Sequence, residues 1–146
     1  MEKLLISLCF LGINSKYNGG NNKIECLDEL RKKYELIPVC PEVFGNLTIP
    51  RLPSEIKNEK VLSKDGKDVT ANYVLGAEKS LDIAIKNNIT KALLKDGSPS
   101  CGVSYIYDGT FSNKKINGLG ITTKLLEENN IKVYSENEID LLLKWA

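Results

Sequence analysis

The sequence contains no histidine among its 146 residues, and this absence excludes several kinds of site. Ser-His-Asp and Cys-His catalysis both need an imidazole that accepts a proton from the nucleophile. Zinc sites with histidine ligands are excluded for the same reason.

An excess of charge and a long apolar segment are also missing. The formal net charge is +1, whereas nucleic-acid-binding modules usually carry a clear basic excess. No run approaches the roughly 18–20 apolar residues of a membrane span, and the first residues do not form a secretory signal. We therefore predict a cytoplasmic protein without a membrane partner. Cysteines stay reduced in that compartment, so the four cysteines suggest metal binding or catalysis rather than disulfides.

Short apolar runs alternate with helical patterns along the chain, as in a parallel sheet covered by helices on both faces. We predict strands at residues 3–8, 35–39, 91–94 and 131–134. We predict helices at residues 21–34, 70–88, 121–130 and after a capping box of Ser135 and Glu138. The fold class is thus α/β, a single small three-layer Rossmann-like domain over residues 1–146. Its four-stranded, mostly parallel sheet should have the order 2-1-3-4.

Several details of this fold are predicted more finely. The segment 41–70 is long and contains three prolines, so we expect an ordered excursion or a lid. Asp108-Gly109 predicts a two-residue hairpin turn. The helix at 70–88 should bury Val74, Ala77, Leu81, Ala84 and Ile85. The last helix should bury Ile139, Leu142, Leu143 and Ala146.

Three of the four cysteines follow predicted strands. Cys9, Cys40 and Cys101 come after the first, second and third strand. The carboxyl ends of parallel strands share one edge of the sheet, where ligands of open α/β folds bind, so these thiols should converge. The alternative is that buried cysteines act as small hydrophobic residues. We assign that role to Cys26, which lies within a predicted helix.

Three thiolates without histidine leave zinc or an iron–sulfur cluster as the metal centre. Structural zinc usually takes four ligands, and an all-thiolate catalytic zinc site is unusual. Thiolates also select iron–sulfur clusters, and a four-iron cluster usually takes four cysteines. With three, one iron would lack a protein ligand and could act as a Lewis acid. A set of three cysteines therefore favours a catalytic cluster over an electron carrier.

Polar side chains near these cysteines are candidates for proton transfer and substrate binding. Glu42 lies two residues after Cys40, and Ser98 and Ser100 precede Cys101. A carboxylate beside a metal centre can act as a general base. The alternatives are an exposed loop acid for Glu42 and turn residues for the serines.

Six blocks of the sequence resemble a known single-domain family. They are SLCFLG, YNGG, PVCPEVFGNLTIPRLPSEI, GKDVTANYVLGAEKSL, LKDGSPSCG and YDGTFSNKKINGLGITTKLL. Together they resemble the thiouracil desulfidases (TudS-like), formerly catalogued as a domain of unknown function. The resemblance covers about residues 4–135 and departs from the family pattern at Lys16 and Asn18, where Arg and Asp are usual.

The resemblance implies a [4Fe-4S] cluster with one iron lacking a protein ligand. Motif by motif, its ligands would be Cys9, Cys40 and Cys101. It further implies that Glu42 and Ser98 are catalytic. We also predict that Ser100 and Arg51 bind substrate.

The implied activity is non-redox desulfuration of a thiolated pyrimidine base or nucleotide, which releases hydrosulfide and the oxo-pyrimidine. The partners would be this small substrate and the cluster-assembly machinery. Near-neutral charge makes nucleic acid an unfavoured partner but does not exclude thiolated RNA. The alternatives are an iron–sulfur lyase acting on another substrate, a cluster-binding sensor or assembly module, and a thiol sulfur-transfer protein.

Overall fold

Strands and helices alternate along most of the chain in the computed structural model, which describes residues 1–144. The elements are, in order, β1 (Glu2–Ser7), α1 (Leu27–Lys33), β2 (Tyr34–Val39), α2 (Pro41–Phe44), β3 (Ser54–Lys57), β4 (Lys60–Ser63), α3 (Thr70–Lys86), β5 (Lys91–Leu93), β6 (Tyr105–Tyr107), β7 (Lys115–Asn117), α4 (Ile121–Glu128), β8 (Lys132–Tyr134) and α5 (Ile139–Lys144). Short 3₁₀ turns lie at Leu8–Leu11 and Glu136–Glu138.

The central sheet has the predicted composition and order. Within residues 1–144 it contains four strands in the order β2-β1-β5-β8. All three strand pairs are parallel, with Ser7 opposite Val39 and Ile6 opposite Leu93. The predicted α/β class and the order 2-1-3-4 are therefore confirmed. The carboxyl ends of β1, β2 and β5 form one continuous edge.

The sheet is buried on both faces because its strands consist largely of apolar residues. Leu5 packs into the cluster that includes Ala84 and Leu126 of α3 and α4. Its neighbour Leu4 points the other way, into the cluster that includes Leu30 and Leu142 of α1 and α5. These two cores on opposite faces of the sheet make the three layers that the alternating pattern predicted.

Two helices differ from their predictions. The helix predicted from residue 21 begins at Leu27, because the polar side chains before it bond locally; the Asn21 carboxamide, for example, accepts the Lys23 N–H. In α3, Val74 and Ile85 are 39% and 58% exposed, so the predicted buried face was wrong at these two positions. The helix instead packs through its Gly76 side.

The close contact of α3 with α2 explains this rotation. A Cβ atom added to Gly76 would lie 1.8 Å from the Pro41 carbonyl oxygen, so only glycine fits there. A Cβ atom added to Gly45, just after α2, would likewise lie 1.9 Å from the Asn72 carbonyl oxygen. The small residues of both segments therefore bring α2 against α3, and α2 is the helix that carries Glu42.

Two antiparallel hairpins lie outside the central sheet. The β3–β4 hairpin occupies part of the segment 41–70, which is thus ordered. The β6–β7 hairpin is the predicted insertion, but the two-residue turn at Asp108-Gly109 is wrong, because the connection spans residues 108–114. Backbone N–H groups of Gly109 and Phe111 donate instead to Glu55 Oε1 on β3, which joins the two hairpins.

The capping box before α5 is present as predicted. Ser135 Oγ accepts the Asn137 N–H, and Glu138 Oε1 accepts the Ser135 N–H. Leu142 is buried, whereas Ala146 lies outside the described residues. No helix in the described part of the chain has the length and apolar character needed to cross a membrane.

Candidate active site

A cavity of about 420 Å³ opens at the carboxyl edge of β1, β2 and β5. Its size is in the range typical of small-molecule sites. Cys9, Cys40 and Cys101 all line it, together with Glu42 and Ser98. The predicted convergence of the three strand-end thiols is therefore present. Cys26 lies elsewhere, at the start of α1, against the core between the sheet and α1.

Cys9 lies in the 3₁₀ turn that follows β1. Its carbonyl oxygen accepts hydrogen bonds from the N–H groups of Gly12 and Asn22. The segment after the turn therefore folds back and contacts Cys9 again at Asn22. The Asn22 carboxamide also donates to the thiol, with Nδ2 3.4 Å from Cys9 Sγ. Burial raises the pKa of the Cys9 thiol, and the Asn22 hydrogen bond opposes this shift.

Cys40 follows β2 directly and precedes α2, so it belongs to the sheet edge and to the start of a helix. Its Sγ atom lies 3.9 Å from the Ser15 carbonyl oxygen, to which the thiol donates. Burial raises the pKa of Cys40, and the nearby Glu42 carboxylate raises it further. The thiol is therefore protonated at neutral pH in the cluster-free protein.

Cys101 is held in a tightly bonded loop after β5. The Ser98 hydroxyl oxygen accepts the N–H groups of Ser100 and Cys101 at 3.0 and 3.2 Å, and Thr123 Oγ1 donates to the Cys101 carbonyl at 3.0 Å. Burial, followed by the Glu42 carboxylate and then by the neighbouring Cys40 and Cys9, raises the pKa of Cys101 well above its usual value. The three thiols are thus near enough to influence one another.

Asp96 organises this loop, and the sequence did not single it out. It is 3% exposed, and its Oδ1 accepts four backbone N–H groups, from Gly97, Val103, Ser104 and Tyr105. Its Oδ2 accepts the Ser104 hydroxyl. Burial opposes ionisation of Asp96, but these hydrogen bonds outweigh it and lower the pKa of the carboxyl. A buried carboxylate therefore closes the loop that carries Cys101.

Glu42 is held from two sides within the cavity. Tyr73 Oη donates to Glu42 Oε1 at 2.6 Å, and Arg51 Nε lies 3.4 Å from the same oxygen. Burial and the Glu42 charge raise the pKa of Tyr73, so the phenol remains a donor. Since Oε1 is occupied, Oε2 is the oxygen of Glu42 that can accept a proton from another group.

Arg51 lines the cavity, but its guanidinium group is hydrogen-bonded to other residues of the protein. Nη1 donates to the Thr48 carbonyl at 3.0 Å, and Nη2 donates to the Ser15 carbonyl at 3.0 Å. Its side chain is only 7% exposed. These contacts favour a role in positioning Glu42, and the predicted role of Arg51 in substrate binding stays a prediction.

The two candidate serines differ in their positions. Ser98 lines the cavity, and because its oxygen accepts two backbone N–H groups, its own hydrogen is directed elsewhere. Ser100 is fully buried outside the cavity lining, with its hydroxyl 2.8 Å from Thr122 Oγ1. The predicted role of Ser100 in substrate binding stays a prediction, and the position of Ser98 in the cavity lining favours Ser98 as the functional serine.

Ser15 is the unexpected member of the cavity wall. It is 3% exposed, and its hydroxyl has no hydrogen-bond partner within the described residues. An unpaired buried hydroxyl usually has a specific explanation, such as an unseen occupant. Its carbonyl already accepts bonds from Arg51 and Cys40. No pattern in the sequence distinguished this serine from other loop residues.

The hairpins form the outer wall of the cavity. Tyr105, Tyr107 and Phe111 provide aromatic surface, while Lys16 and Lys64 add positive charge. The hairpin packs closely on the Cys101 loop at Gly97, where φ is +84° and an added Cβ would lie 2.8 Å from the Tyr105 ring. The cavity is thus lined by aromatic side chains and lysines as well as by the three cysteine thiols.

Among the described residues, the cavity presents no ready site for a single metal ion. Within residues 1–144, no three cysteine or carboxylate side chains are arranged to hold one metal ion. Tetrahedral zinc with bonds of about 2.3 Å to sulfur would need the thiolates much closer together than a cubane cluster, whose ligands sit at separate corners.

Comparisons with known proteins agree with this arrangement. A model of the family described as 2-thiouracil desulfurase matches residues 4–138. The uncharacterized protein YbbK of Bacillus subtilis (strain 168) is 39% identical over 150 residues, covering 96% of this chain and 99% of that protein. The solved structure of a [4Fe-4S]-dependent thiouracil desulfidase, TudS, is 40% identical with a TM-score of 0.93, covering 100% of both chains. The chain therefore belongs to the 2-thiouracil desulfurase family.

Proposed function

We propose that this protein is a [4Fe-4S]-dependent desulfidase that removes sulfur from a thiolated pyrimidine. The observation that carries the proposal is the presence of Cys9, Cys40 and Cys101 in one cavity with the Glu42 carboxylate. The family and the similarity to TudS support the same activity.

The residues present fit a cluster in two respects. The ligand set would consist of sulfur only, which suits iron–sulfur centres. All three thiols line one cavity, and no three cysteine or carboxylate side chains within residues 1–144 are arranged to hold a single metal ion, which favours a polynuclear group.

Bound by these three cysteines, the cluster would supply one iron with an open position, a Lewis acid towards the thiocarbonyl sulfur of the substrate. The protein supplies the remaining parts of the reaction. Glu42 accepts a proton from water through Oε2, because Tyr73 and Arg51 occupy Oε1. The resulting hydroxide forms a bond with the thiocarbonyl carbon. Ser98 donates its free hydroxyl hydrogen to the pyrimidine ring.

The overall reaction balances as a hydrolysis. As the C–O bond forms, the π electrons of C=S move to sulfur. The C–S bond then breaks while the added hydroxyl loses its proton, which gives the C=O of the oxo-pyrimidine. The sulfur leaves as hydrosulfide with one of the two water protons, and the other is released so that the Glu42 carboxylate is regenerated. No net oxidation or reduction takes place. General-base assistance of this kind typically contributes about 10²–10⁴-fold in rate.

The outer wall supports a flat, ring-shaped substrate. Tyr105 and Tyr107 offer aromatic faces and edges to a pyrimidine. Lys16 and Lys64 would tolerate a phosphate, so both a base and a nucleotide are substrates to test. Loading of the cluster would require assembly machinery in the cell.

Anaerobic reconstitution with iron and sulfide tests this function. We expect about four irons per chain, and loss of thiocarbonyl absorbance when 2- or 4-thiouracil or its nucleotide is added. Alanine at Cys9, Cys40 or Cys101 should abolish iron retention, while Cys26→Ala should leave it intact because Cys26 lies outside the cavity. Glu42→Ala should retain the cluster and lose turnover. A full cluster without turnover of any thiopyrimidine would instead indicate a sensor or assembly role.

A further inference from the structure

Cys9 differs from the other two cavity thiols in its hydrogen bonding. Asn22 Nδ2 donates to Cys9 Sγ at 3.4 Å. Cys40 instead donates to the Ser15 carbonyl, a bond that a thiolate could not keep, and its other hydrogen bond comes from the backbone at Val43 rather than from a side chain. Within the described residues, the Asn22 bond is thus the one side-chain N–H donated to a cavity thiol that would persist after deprotonation.

The position of Asn22 is fixed by the backbone as well. Its N–H donates to the Cys9 carbonyl at 3.0 Å, so main chain and side chain both bind the same cysteine. Asn22 is half-buried and lines the cavity wall. This double attachment holds the carboxamide in place before any occupant arrives, which is the condition for a hydrogen bond of defined strength.

Hydrogen bonds to ligand sulfur withdraw electron density from an iron–sulfur centre. They raise its reduction potential, and outer partners of this kind tune metal centres generally. The same withdrawal weakens thiolate donation to iron and makes the iron a stronger Lewis acid. For a non-redox desulfidase, a more electrophilic iron would polarise the substrate more strongly. A fixed reduction potential would also keep the cluster in one oxidation state.

We propose that Asn22 is a positioning and tuning residue, whose carboxamide donates to the Cys9 thiolate and sets the electron affinity of the bound cluster. This inference rests on the proposed function, since it requires a cluster on Cys9. The segment 12–22 begins and ends at hydrogen bonds to Cys9, and on this proposal it serves to place Asn22 beside the cluster ligand. The backbone return to Cys9 thereby also delivers the hydrogen-bond donor.

The test is an anaerobic redox titration of reconstituted wild-type and variant proteins, followed by electron paramagnetic resonance. Asn22→Leu removes the donor at similar volume, and Asn22→Ala provides a second variant if leucine impairs folding. Both should lower the reduction potential and shift the Fe–S(Cys) stretching bands in resonance Raman spectra. Their kcat should fall about 10–100-fold, with KM little changed.

Asn21→Leu is the matched control. Its carboxamide donates to Asn14 at 2.9 Å at an exposed position and does not contact Cys9. The control should retain the wild-type potential and spectrum. Unchanged potential and Raman bands in both Asn22 variants, with a full cluster, would overturn the inference while leaving the proposed function standing. Failure of the wild-type protein to assemble any cluster would overturn both.

Discussion

The phenolic oxygen of Tyr73 lies 2.6 Å from Oε1 of Glu42, and this bond joins the core of α3 to the cavity. Tyr73 is 1% exposed and does not line the cavity, so it acts on the site through the residues it bonds, chiefly Glu42. Within the described residues, the second oxygen of Glu42, Oε2, accepts no hydrogen bond and is left for the reaction.

Tyr73→Phe should therefore slow turnover without removing the cluster. The lost hydrogen bond to a charged acceptor corresponds to about 1.5 kcal/mol, or roughly tenfold in kcat. KM and iron content should stay near the wild-type values, as measured by steady-state kinetics and iron analysis. A variant that loses iron as well as activity would show that Tyr73 supports the thiols rather than the carboxylate.

Arg51→Lys separates positioning from substrate binding. Lysine keeps the charge but cannot bond at once to Glu42, Thr48 and Ser15 as the guanidinium does. If Arg51 positions Glu42, kcat should fall about tenfold while KM changes little. A rise in KM with an unchanged kcat would instead support the predicted contact with substrate, and a nucleotide substrate would show it most clearly.

Ser15→Ala should stabilise the cluster-free protein. The variant removes a buried hydroxyl that lacks a partner, which is worth about 1 kcal/mol or more. A similar gain is expected in the cluster-loaded protein, because the hydroxyl has almost no surface open to the cavity. Thermal unfolding of both forms under anaerobic conditions measures the difference. Ser80→Ala is the matched control: Ser80 Oγ already donates to the Gly76 carbonyl, so this variant should be destabilised in both forms.

Asp96→Asn should destabilise the Cys101 loop in a pH-dependent manner. Hydrogen bonds lower the pKa of Asp96 in the folded protein, so the carboxylate contributes stability above its unfolded pKa of about 3.9. That contribution is lost as the pH falls towards the folded pKa. The difference in Tm between wild type and variant should thus be large at pH 7, corresponding to roughly 2 kcal/mol, and should shrink below about pH 4.

The exposed Asp82 on α3 offers a control for this experiment. Asp82→Asn should change the Tm little across the same pH range, since surface substitutions usually have small effects. A constant difference in Tm between the wild type and Asp96→Asn from pH 7 to pH 3 would contradict the assigned role of the carboxylate.

Much of this architecture could be predicted because it depends on local patterns. Apolar runs such as Leu4–Ile6 mark strands buried on both faces, and parallel pairing then brings Cys9, Cys40 and Cys101 to one edge without any short cysteine motif. The capping box at Ser135 has a similarly local origin.

The remaining features depend on contacts between distant segments, which no local pattern contains. The apolar face of α3 was misplaced because the close approach of Gly76 to Pro41 decides which side is buried. That same rotation brings Tyr73 to Glu42. Asp96 and Ser15 read as ordinary loop residues, since their roles follow from bonds that only the folded loops create.

The joining of the two hairpins through Glu55 has a consequence for how this protein could change over time. The cysteines come from the sheet edge and its loops, whereas Tyr105, Tyr107 and Phe111 come from a separate ribbon. Tyr107 and Phe111 could therefore be exchanged with little effect on the cysteines, whereas Tyr105 is tied to the Cys101 loop by its N–H bond to Asp96 and its packing on Gly97. One inherited reaction centre could thus serve different thiolated substrates through changes at these two positions of its outer wall.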